Sequence, residues 1–387
     1  MKILIVANSI VGDEPGVTGG ESRFIELAKC WRKKGYEIHL MSGKGGKILC
    51  ERMGLPVILH NISNGTGVGR LEITLRFFKM LFHLSGLLSS FKEGIVYSGS
   101  EQVYDVLPGF FLKLFHPSKI RFGVATHWLP PILFWQRRNS NFLYSLMFLI
   151  SERLGLFFAN INADVLLPVS EDTLQDLRRS IFNRRPAHFV LCGVNLEEIN
   201  SSVSGSGEKK YDAVFMKRLQ RTKGIFDLVE MWAELVKSKP EANLLIIGEG
   251  IDGGEARKMT SEMGLERNIE LAGVIYDPAR KFKLLAQSKI FILPSYEENW
   301  AIVIGEAMAV GIPVVCYDLK ELMAVWEDNV IYAKTGDKKD LLDKVTRLLE
   351  NDAERAKMAQ KAKEFVKKYS WDKIADTELS LILGTNP

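Results

Sequence analysis

The chain has 387 residues, of which 47% are hydrophobic, so it is long and apolar enough for two domains with large cores. The formal net charge is only +4, which gives no indication of a nucleic-acid partner. The charge is uneven, because residues 1–190 hold 23 Lys and Arg against 15 Asp and Glu. The first half therefore favours an anionic partner, either phosphate groups or an anionic membrane surface.

The chain lacks the sequence features of several classes of protein. No run of about eighteen uncharged apolar residues predicts a membrane-spanning helix, and the apolar run after Met1-Lys2 is too short for a signal peptide. The four cysteines form no CxxC pair and indicate reduced thiols of a cytoplasmic protein. No cluster of His, Cys and acids has the spacing of metal ligands, so no metal is expected.

The N-terminus predicts a strand at residues 2–8, a glycine-rich loop and a helix at 21–34. The loop matches neither G-x-G-x-x-G nor the P-loop pattern, which argues against a nicotinamide cofactor and against a P-loop enzyme. Gly19 and Gly20 stand where the helix begins. They are either a plain turn or a source of free backbone N–H groups for an anion.

Residues 71–90 predict a strongly apolar helix with Glu72, Arg76, Lys79 and His83 on one stripe. Two interpretations are open. The helix packs against a sheet with one wet edge, or it lies in a membrane interface.

His127 follows a predicted strand, at the carboxyl end where functional residues concentrate, although a lone His is more often structural. Trp135, Arg137 and Arg138 follow it and precede an apolar helix at 141–159. Aromatic residues interleaved with arginine are typical of membrane interfaces, and they are equally compatible with a core helix.

A polar, Gly/Ser-rich stretch at 200–210 predicts a flexible linker. The strand predicted at 213–216 is followed by Arg218 and Lys223, which flank a loop that enters a helix. Two cations at a helix N-terminus can bind a diphosphate, and a solvated basic loop is the alternative.

Residues 290–316 predict a strand, a polar loop, a helix and a second strand of a parallel sheet. Asn299 is the expected N-cap of a helix that runs to residue 310. On that basis Glu298 and Glu306 lie about 12 Å apart along the helix axis, which suits two ends of one extended ligand. The alternative is one acid at a helix start and one at the surface. Glu306 has apolar neighbours and needs a partner if it is buried.

The segment PSYEENWAIVIGEAMAVGIPVV, residues 294–315, resembles the E-x7-E signature of retaining glycosyltransferases of family GT4, which have the GT-B fold. The resemblance implies that Glu298 contacts hydroxyls of the donor sugar and that Glu306 contacts the nucleoside ribose. Asn299 replaces the usual Gly, and Trp300-Ala301 replace Phe-Gly. Because Asn tolerates a left-handed backbone, we expect the turn to persist, with Asn299 and Trp300 at the donor.

The segment beginning KRLQRTKG resembles a second motif of the family, G-R-L-x-x-x-K-G, with Lys217 in place of the first Gly. This resemblance implies that Arg218 and Lys223 bind the donor diphosphate and stabilise the leaving group. By the same resemblance, the Gly-Gly loop approaches the diphosphate and the acceptor, and a His lies near the reacting centre. These residues are Gly19, Gly20 and His127.

The resemblance therefore implies an α/β protein of GT-B fold, with two Rossmann-like parallel-sheet domains facing across a cleft. We expect an N-terminal acceptor-side domain at 1–199, the linker at 200–210 and a nucleotide-sugar-binding domain at 211–370. The tail, 371–387, is expected to form a helix that crosses back to the first domain.

The function that we predict is that of a retaining, hexosyltransferase-type glycosyltransferase. It would move a sugar from a nucleotide diphospho-sugar to an acceptor that is lipid-linked or a precursor of an envelope or surface glycan. We expect no cofactor and no metal, a cytoplasmic location at the inner face of the membrane, and peripheral contact with anionic lipid. The alternatives are a GT-B sugar-nucleotide epimerase and a non-catalytic module that binds sugar nucleotides.

Overall fold

The structure, a computed structural model, describes residues 1–8, 19–64, 70–127, 129, 142–203 and 208–385. The chain divides into two compact units. The first contains the described residues up to Cys192 and those from Asp372 onward, and the second is Gly193–Trp371. The change of unit after Cys192 comes earlier in the chain than the predicted boundary at residue 199.

The first unit is built on a six-stranded parallel sheet with the strand order β3-β2-β1-β4-β5-β6. Its elements are β1 (Lys2–Val6), α1 (Gly19–Lys33), β2 (Glu37–Gly43), α2 (Lys44–Arg52), β3 (Ile58–Ser63), α3 (Arg70–Ser90), β4 (Gly94–Ser98), α4 (Val103–Phe115), β5 (Ile120–Thr126), α5 (Phe142–Asn162), β6 (Val165–Pro168) and α6 (Glu171–Arg179). The final helix of the chain, α15 (Trp371–Leu383), also packs in this unit.

The second unit repeats this plan with a parallel sheet in the order β12-β11-β10-β7-β8-β9. Its elements are α7 (Leu196–Val203), β7 (Tyr211–Met216), α8 (Ile225–Ser238), β8 (Leu244–Ile247), α9 (Gly253–Glu262), β9 (Ile269–Gly273), α10 (Pro278–Ala286), β10 (Ser288–Leu293), α11 (Ile302–Val310), β11 (Val314–Tyr317), α12 (Lys320–Trp326), β12 (Ile331–Ala333), α13 (Lys338–Glu350) and α14 (Asp352–Phe365).

The central strands are apolar on both faces because helices cover both sides of each sheet. In β1 every residue after Lys2 is buried, and in β10 only Lys289 is partly exposed. Near-continuous apolar runs are typical of parallel strands, whose crossover helices leave neither face wet. The polar groups of such a sheet collect in the loops at the carboxyl ends of its strands.

One expectation about the second unit needs correction. The predicted linker at 200–210 is helical in its first part, since α7 runs to Val203 and packs with α10 and α11.

Helices α13 and α14 are separated by a single residue, Asn351. The Asn351 side chain accepts a hydrogen bond from the Glu354 N–H and so begins α14.

The two long apolar helices of the first unit expose part of their hydrophobic surface. On α3, Phe78 and Phe82 are exposed beside Lys79 and His83, while other apolar side chains of the helix lie in the core. The predicted contributions of Trp135, Arg137 and Arg138 lie outside the described residues, as do the side chains of Glu72 and Arg76. None of the described helices combines the length and the apolar character that crossing a bilayer requires.

A buried ion pair fastens the C-terminal helix to the first unit. The Arg23 guanidinium of α1 pairs with the Glu378 carboxylate of α15, and both side chains are almost fully buried. Arg23 also donates to the carbonyl oxygens of Val190 at 2.8 Å and Leu191 at 2.9 Å. These hydrogen bonds satisfy a charge that would otherwise be costly to bury.

We expect Glu378→Ala to lower the free energy of unfolding by about 3–5 kcal/mol, because it leaves Arg23 buried without its counter-charge. The matched control is Asp376→Ala on the same helix. Asp376 pairs with Lys34 at the surface, and loss of an exposed pair costs about 1 kcal/mol or less. Urea unfolding followed by circular dichroism compares the two, and equal midpoints would contradict the role given to the Arg23–Glu378 pair.

Candidate functional site

Three loops meet at the carboxyl edge of the second sheet. They follow β7, β8 and β10, which are neighbours in the sheet, with Ile290 of β10 paired to Ala213 of β7. The loops are residues 217–224, 248–250 and 294–299. Because all three strands are parallel, the residues that follow them are brought to the same edge.

Glycines allow these loops to pack backbone against backbone. Gly224 has φ 75°, and a Cβ there would lie 1.8 Å from the Pro294 carbonyl oxygen. Gly248 has φ 138°, and a Cβ there would lie 2.0 Å from the Lys217 carbonyl oxygen. The Tyr296 N–H donates to the Thr222 carbonyl oxygen at 2.9 Å. Only glycine fits these two positions, so the loops are held in fixed register.

Glu298 is the centre of this arrangement. Its carboxylate is 6% exposed and lies between two lysines. Lys217 Nζ is 3.0 Å from Oε2, and Lys223 Nζ is 3.3 Å from Oε1. Ser295 Oγ also donates to Oε1 at 3.0 Å. Lys223 Nζ donates in addition to the Glu297 carbonyl oxygen at 2.6 Å, which joins the first and third loops.

The pKa values of this cluster follow from burial and charge. Burial raises the pKa of Glu298, but the ammonium groups of Lys217 and Lys223 lower it further, so its pKa lies below the ordinary value. Burial lowers the pKa of Lys223 against the opposing effect of Glu298. Glu298 is therefore ionised at neutral pH and can only accept hydrogen bonds there.

Arg218 lies on the first loop beside this cluster and is exposed. Within the described part of the chain its guanidinium forms no ion pair. Lys223 is buried, with contacts to Glu297 and Glu298. The structure thus brings Arg218, Lys223 and Glu298 to one edge, with Arg218 the cation that is open to a ligand.

Glu306 lies on α11 and has the partner that its apolar surroundings required. Lys281 Nζ of α10 is 2.7 Å from its Oε1, and the carboxylate keeps a small exposed fraction. The helix itself begins later than predicted, at Ile302, so Glu298 belongs to the preceding loop. The predicted separation of about 12 Å assumed that Glu298 and Glu306 share one helix, and it does not apply.

Two expectations about the residues after Glu298 are wrong. Asn299 is exposed but is not the N-cap of α11; the N-cap is Ala301, which has a left-handed φ of 52°. Asn299 is not among the residues with positive φ. The left-handed residue is therefore Ala301, two residues after the predicted Asn299. Alanine adopts a left-handed backbone only with strain.

Trp300 is a core side chain and not an exposed ligand contact. It is 3% exposed, and its ring packs on Trp326 at 4.7 Å and on Tyr369 at 5.6 Å between centroids. A Cβ on Gly305 would come within 3.0 Å of the Trp300 ring, so that glycine makes room for it. Trp300 packs beneath the loop 294–299, on its core side, and its ring is not exposed to a ligand.

In the first unit, the structure brings Gly20 and His127 together. A Cβ on Gly20 would lie 3.3 Å from the His127 ring. His127 Nε2 lies 2.9 Å from the Gly99 carbonyl oxygen, and the His127 N–H donates to Glu101 at 2.9 Å. Burial lowers the pKa of His127 to about 4, so the ring is neutral at neutral pH, with the proton on Nε2.

Gly19 is the first residue of α1, so both glycines stand at the helix N-terminus. The rest of the glycine-rich loop, residues 9–18, lies outside the described residues. Among the described residues, no group of three or more His, Cys, Asp or Glu could hold a metal ion.

Sequence reasoning missed three residues of the second-unit site. They are Lys217, Ser295 and Lys281, each bonded to one of the two predicted acids. The sequence did mark Lys217 as unusual, because it stands where the resemblance expects Gly. It gave no such indication for Lys281, since that residue comes from a helix 25 residues before Glu306 and meets it only through the fold.

Comparison with known proteins gives one family match. Residues 197–365 match the family model described as glycosyl transferases group 1. The chain is 26% identical over 352 residues to a poly(ribitol-phosphate) alpha-N-acetylglucosaminyltransferase of Staphylococcus aureus, covering 87% of this chain and 66% of that protein. It is 27% identical to an N-acetylgalactosamine-N,N'-diacetylbacillosaminyl-diphospho-undecaprenol 4-alpha-N-acetylgalactosaminyltransferase of Campylobacter jejuni, covering 66% of this chain and 67% of that protein. The chain thus spans about two thirds of each relative.

Among solved structures, the chain is similar to Anabaena Alr3699/HepE in complex with UDP-glucose. The TM-score is 0.72 at 17% sequence identity, over 99% of this chain and all of that one. At this identity the likeness concerns the fold.

The strain of the left-handed backbone at Ala301 can be tested by substitution with glycine. Ala301→Gly should change the free energy of unfolding by less than about 0.5 kcal/mol. Relief of a left-handed penalty of about 1–2 kcal/mol offsets a glycine entropy cost of about 0.5–1 kcal/mol and the loss of a buried methyl group worth about 0.8 kcal/mol. The control, Ala356→Gly, lies in the interior of α14 and is exposed; it should lose about 1 kcal/mol. Thermal unfolding measures both, and a loss at Ala301 as large as that at Ala356 would contradict the strain.

Proposed function

We propose that the chain is a retaining glycosyltransferase with a nucleotide diphospho-sugar as donor, since residues 197–365 match the family model described as glycosyl transferases group 1. Its two parallel-sheet units are those of the GT-B fold. The observation that supports the proposal most is the ionised Glu298 between Lys217 and Lys223, with Arg218 exposed on the same loop.

The donor diphosphate would bind to Arg218, to Lys223 and to helix N-termini. The N-cap residues of α8 and α11, Gly224 and Ala301, provide no side-chain cap. The first N–H groups of these helices therefore receive no hydrogen bond from the side chain of the N-cap residue, and the helix dipole favours negative charge there. Arg218 contributes a fork of donors that matches phosphate oxygens.

The two acids would recognise the two ends of the donor. Glu298 accepts hydrogen bonds and can take them from sugar hydroxyls, with Lys217 and Lys223 holding its carboxylate in place. Glu306 is held by Lys281 and remains partly exposed, so it can accept hydrogen bonds from the ribose hydroxyls of the nucleoside.

The reaction breaks the bond between the anomeric carbon and the diphosphate oxygen. The acceptor hydroxyl attacks from the same face, and its proton passes to the leaving phosphate, so configuration is retained. Arg218, Lys223 and the helix N-termini stabilise the charge that grows on the diphosphate, a role that often dominates catalysis. No residue among those described at this edge is proposed as a covalent nucleophile, and neither cofactor nor metal is proposed, because the cations are built in.

The acceptor that we propose is lipid-linked or a precursor of a surface glycan. The printed names of the two relatives refer to a poly(ribitol-phosphate) and to a diphospho-undecaprenol substrate, which supports this class. The solved neighbour binds UDP-glucose, which supports a nucleoside diphosphate donor. In the first unit, Gly20 and the neutral His127 would contact the acceptor or the transferred sugar.

Neither the epimerase nor the non-catalytic module is favoured, since the family match is to glycosyl transferases. We further propose a cytoplasmic location with peripheral contact to an anionic membrane. The positive excess in residues 1–190 and the exposed Phe78 and Phe82 of α3 support that contact.

The two acids should have separable kinetic effects. Glu306→Gln should mainly raise KM for the donor, because it weakens ribose binding in ground state and transition state alike. Glu298→Gln should mainly lower kcat, because the charge that orients the sugar is lost. Initial rates with a donor titration measure both, with the exposed Glu234→Gln as control. Wild-type kcat/KM in both variants would contradict this assignment of the acids.

The cations should carry the electrostatic part of catalysis. Arg218→Ala and Lys223→Ala should each remove about 2–4 kcal/mol of transition-state stabilisation, the scale of one preorganised contact. The matched control is Arg221→Ala on the same loop. Arg221 is exposed and pairs only loosely with Glu255, at 3.6 Å, so its loss should change kcat/KM by less than about 1 kcal/mol.

The same assay decides the question of metal. EDTA should leave the activity largely intact, because Arg218 and Lys223 supply the positive charge. A strict requirement for Mg²⁺ or Mn²⁺ would contradict the mechanism with built-in cations.

A further inference from the structure

Helix α5 exposes a continuous apolar stripe. Met147, Ile150, Leu154, Phe157 and Ile161 recur at intervals of three and four residues, and each side chain is between 44% and 53% exposed. This spacing places them on one face of the helix, and at 1.5 Å per residue the stripe is about 21 Å long.

The stripe carries no exposed acid among the described side chains. The acid of α5, Glu152, is fully buried on the other side of the helix. Leu156 and Ala159 are also buried and belong to the core of the first unit. The helix therefore has one apolar face in the core and a second apolar face toward solvent. A helix that only contacts water usually presents polar side chains there, so the second face indicates an interaction surface.

A basic segment, which we call the basic loop, comprises the last two residues of α6 and the six residues after it. This segment, 178–185, RRSIFNRR, has four arginines in eight residues and no acid. Between the two arginine pairs Ile181 is 82% exposed. None of the four arginines forms an ion pair with any residue that the structure describes.

The basic loop and the stripe form one surface. The Arg184 N–H donates to Asn160 Oδ1 at 2.9 Å, and Arg185 Nε donates to the Asn160 carbonyl oxygen at 3.2 Å. Asn160 precedes the last residue of the stripe, Ile161. The arginines of the loop are thus fixed beside the C-terminal end of α5, and we call the stripe together with residues 178–185 the α5 surface.

We propose that the α5 surface is where the chain lies on an anionic lipid bilayer. Exposed apolar side chains at helical spacing can enter the boundary between headgroups and acyl chains. Arginines without an internal counter-charge complement anionic headgroups, and each contributes about 1 kcal/mol near such a surface. A second copy of this chain would offer these arginines no exposed acid from the described side chains of its stripe, so the charge favours an anionic lipid over self-association.

This inference rests on the membrane contact of the proposed function and names its surface, but it does not depend on sugar transfer. The stripe lies on the apolar helix that the sequence predicted at 141–159. Helix α3 does not belong to the α5 surface, and residues 135–138 lie outside the described residues. A membrane contact through α3 alone would leave the α5 surface without effect on binding, which makes the two distinguishable.

The test is co-sedimentation with vesicles of phosphatidylglycerol and, separately, of phosphatidylcholine. The wild-type chain should bind the phosphatidylglycerol vesicles, and added salt should weaken the binding. Arg179→Gln with Arg184→Gln should weaken it roughly thirtyfold, as expected for two arginines near the surface. Phe157→Ser with Ile181→Ser should weaken it at least about tenfold.

The matched controls alter the second unit. Lys237→Gln with Lys258→Gln removes two exposed charges there, and Ile251→Ser removes an apolar side chain that is 86% exposed. Both should bind vesicles as the wild type does. In vesicle-free solution, all variants should keep the wild-type melting temperature and the wild-type stabilisation by the nucleotide sugar that stabilises the wild type most in a panel. This separates loss of membrane binding from misfolding and from failure of the donor site.

Three results would overturn the proposal. They are recovery of the wild-type chain in the supernatant with phosphatidylglycerol vesicles, equal loss of binding in the control and α5-surface variants, and a dimer in sedimentation velocity that Phe157→Ser dissociates. The last would assign the surface to a second copy of the chain.

Discussion

The site of the second unit depends on one buried interaction, the Glu298 carboxylate between the ammonium groups of Lys217 and Lys223. A carboxylate that is withdrawn from water needs counter-charges and hydrogen bonds. These come from the loops 217–224 and 294–299, whose backbones approach closely at Gly224. The same contacts that stabilise Glu298 therefore fix the loops on which a ligand would bind, and they leave Arg218 open beside it.

In the first unit, burial leaves His127 neutral, whereas the buried Glu298 of the second unit is ionised. Burial lowers the pKa of His127 to about 4, so its ring is neutral and donates from Nε2 to the Gly99 carbonyl oxygen. It can contact a hydroxyl but cannot hold a phosphate by charge. The Arg23–Glu378 pair, which is also buried in this unit, has a structural role. The pair holds α15 against the unit and takes no part in the chemistry that we propose.

Much of the fold could be predicted because parallel strands are apolar runs with glycine-rich or polar loops at their carboxyl ends, as at β1 and β10. Glu298, Arg218 and Lys223 could be placed at one edge for the same reason. Lys281 could not, because its contact with Glu306 depends on the packing of two helices. The exchange of Asn299 for Ala301 as the left-handed residue was equally hidden. It accompanies the burial of Trp300 against Trp326, and a motif comparison does not reveal such packing.

The most direct test of a donor site at these three loops is thermal stabilisation by a panel of nucleotide sugars, compared between the wild type and Arg218→Ala. A donor at about 100 times its Kd should add about 2.7 kcal/mol to the stability of the wild type. One or more nucleoside diphospho-sugars should stabilise the wild type, and the stabilisation should fall sharply in the variant. Equal stabilisation of both proteins, or none by any sugar nucleotide, would contradict the assignment of this edge as the donor site.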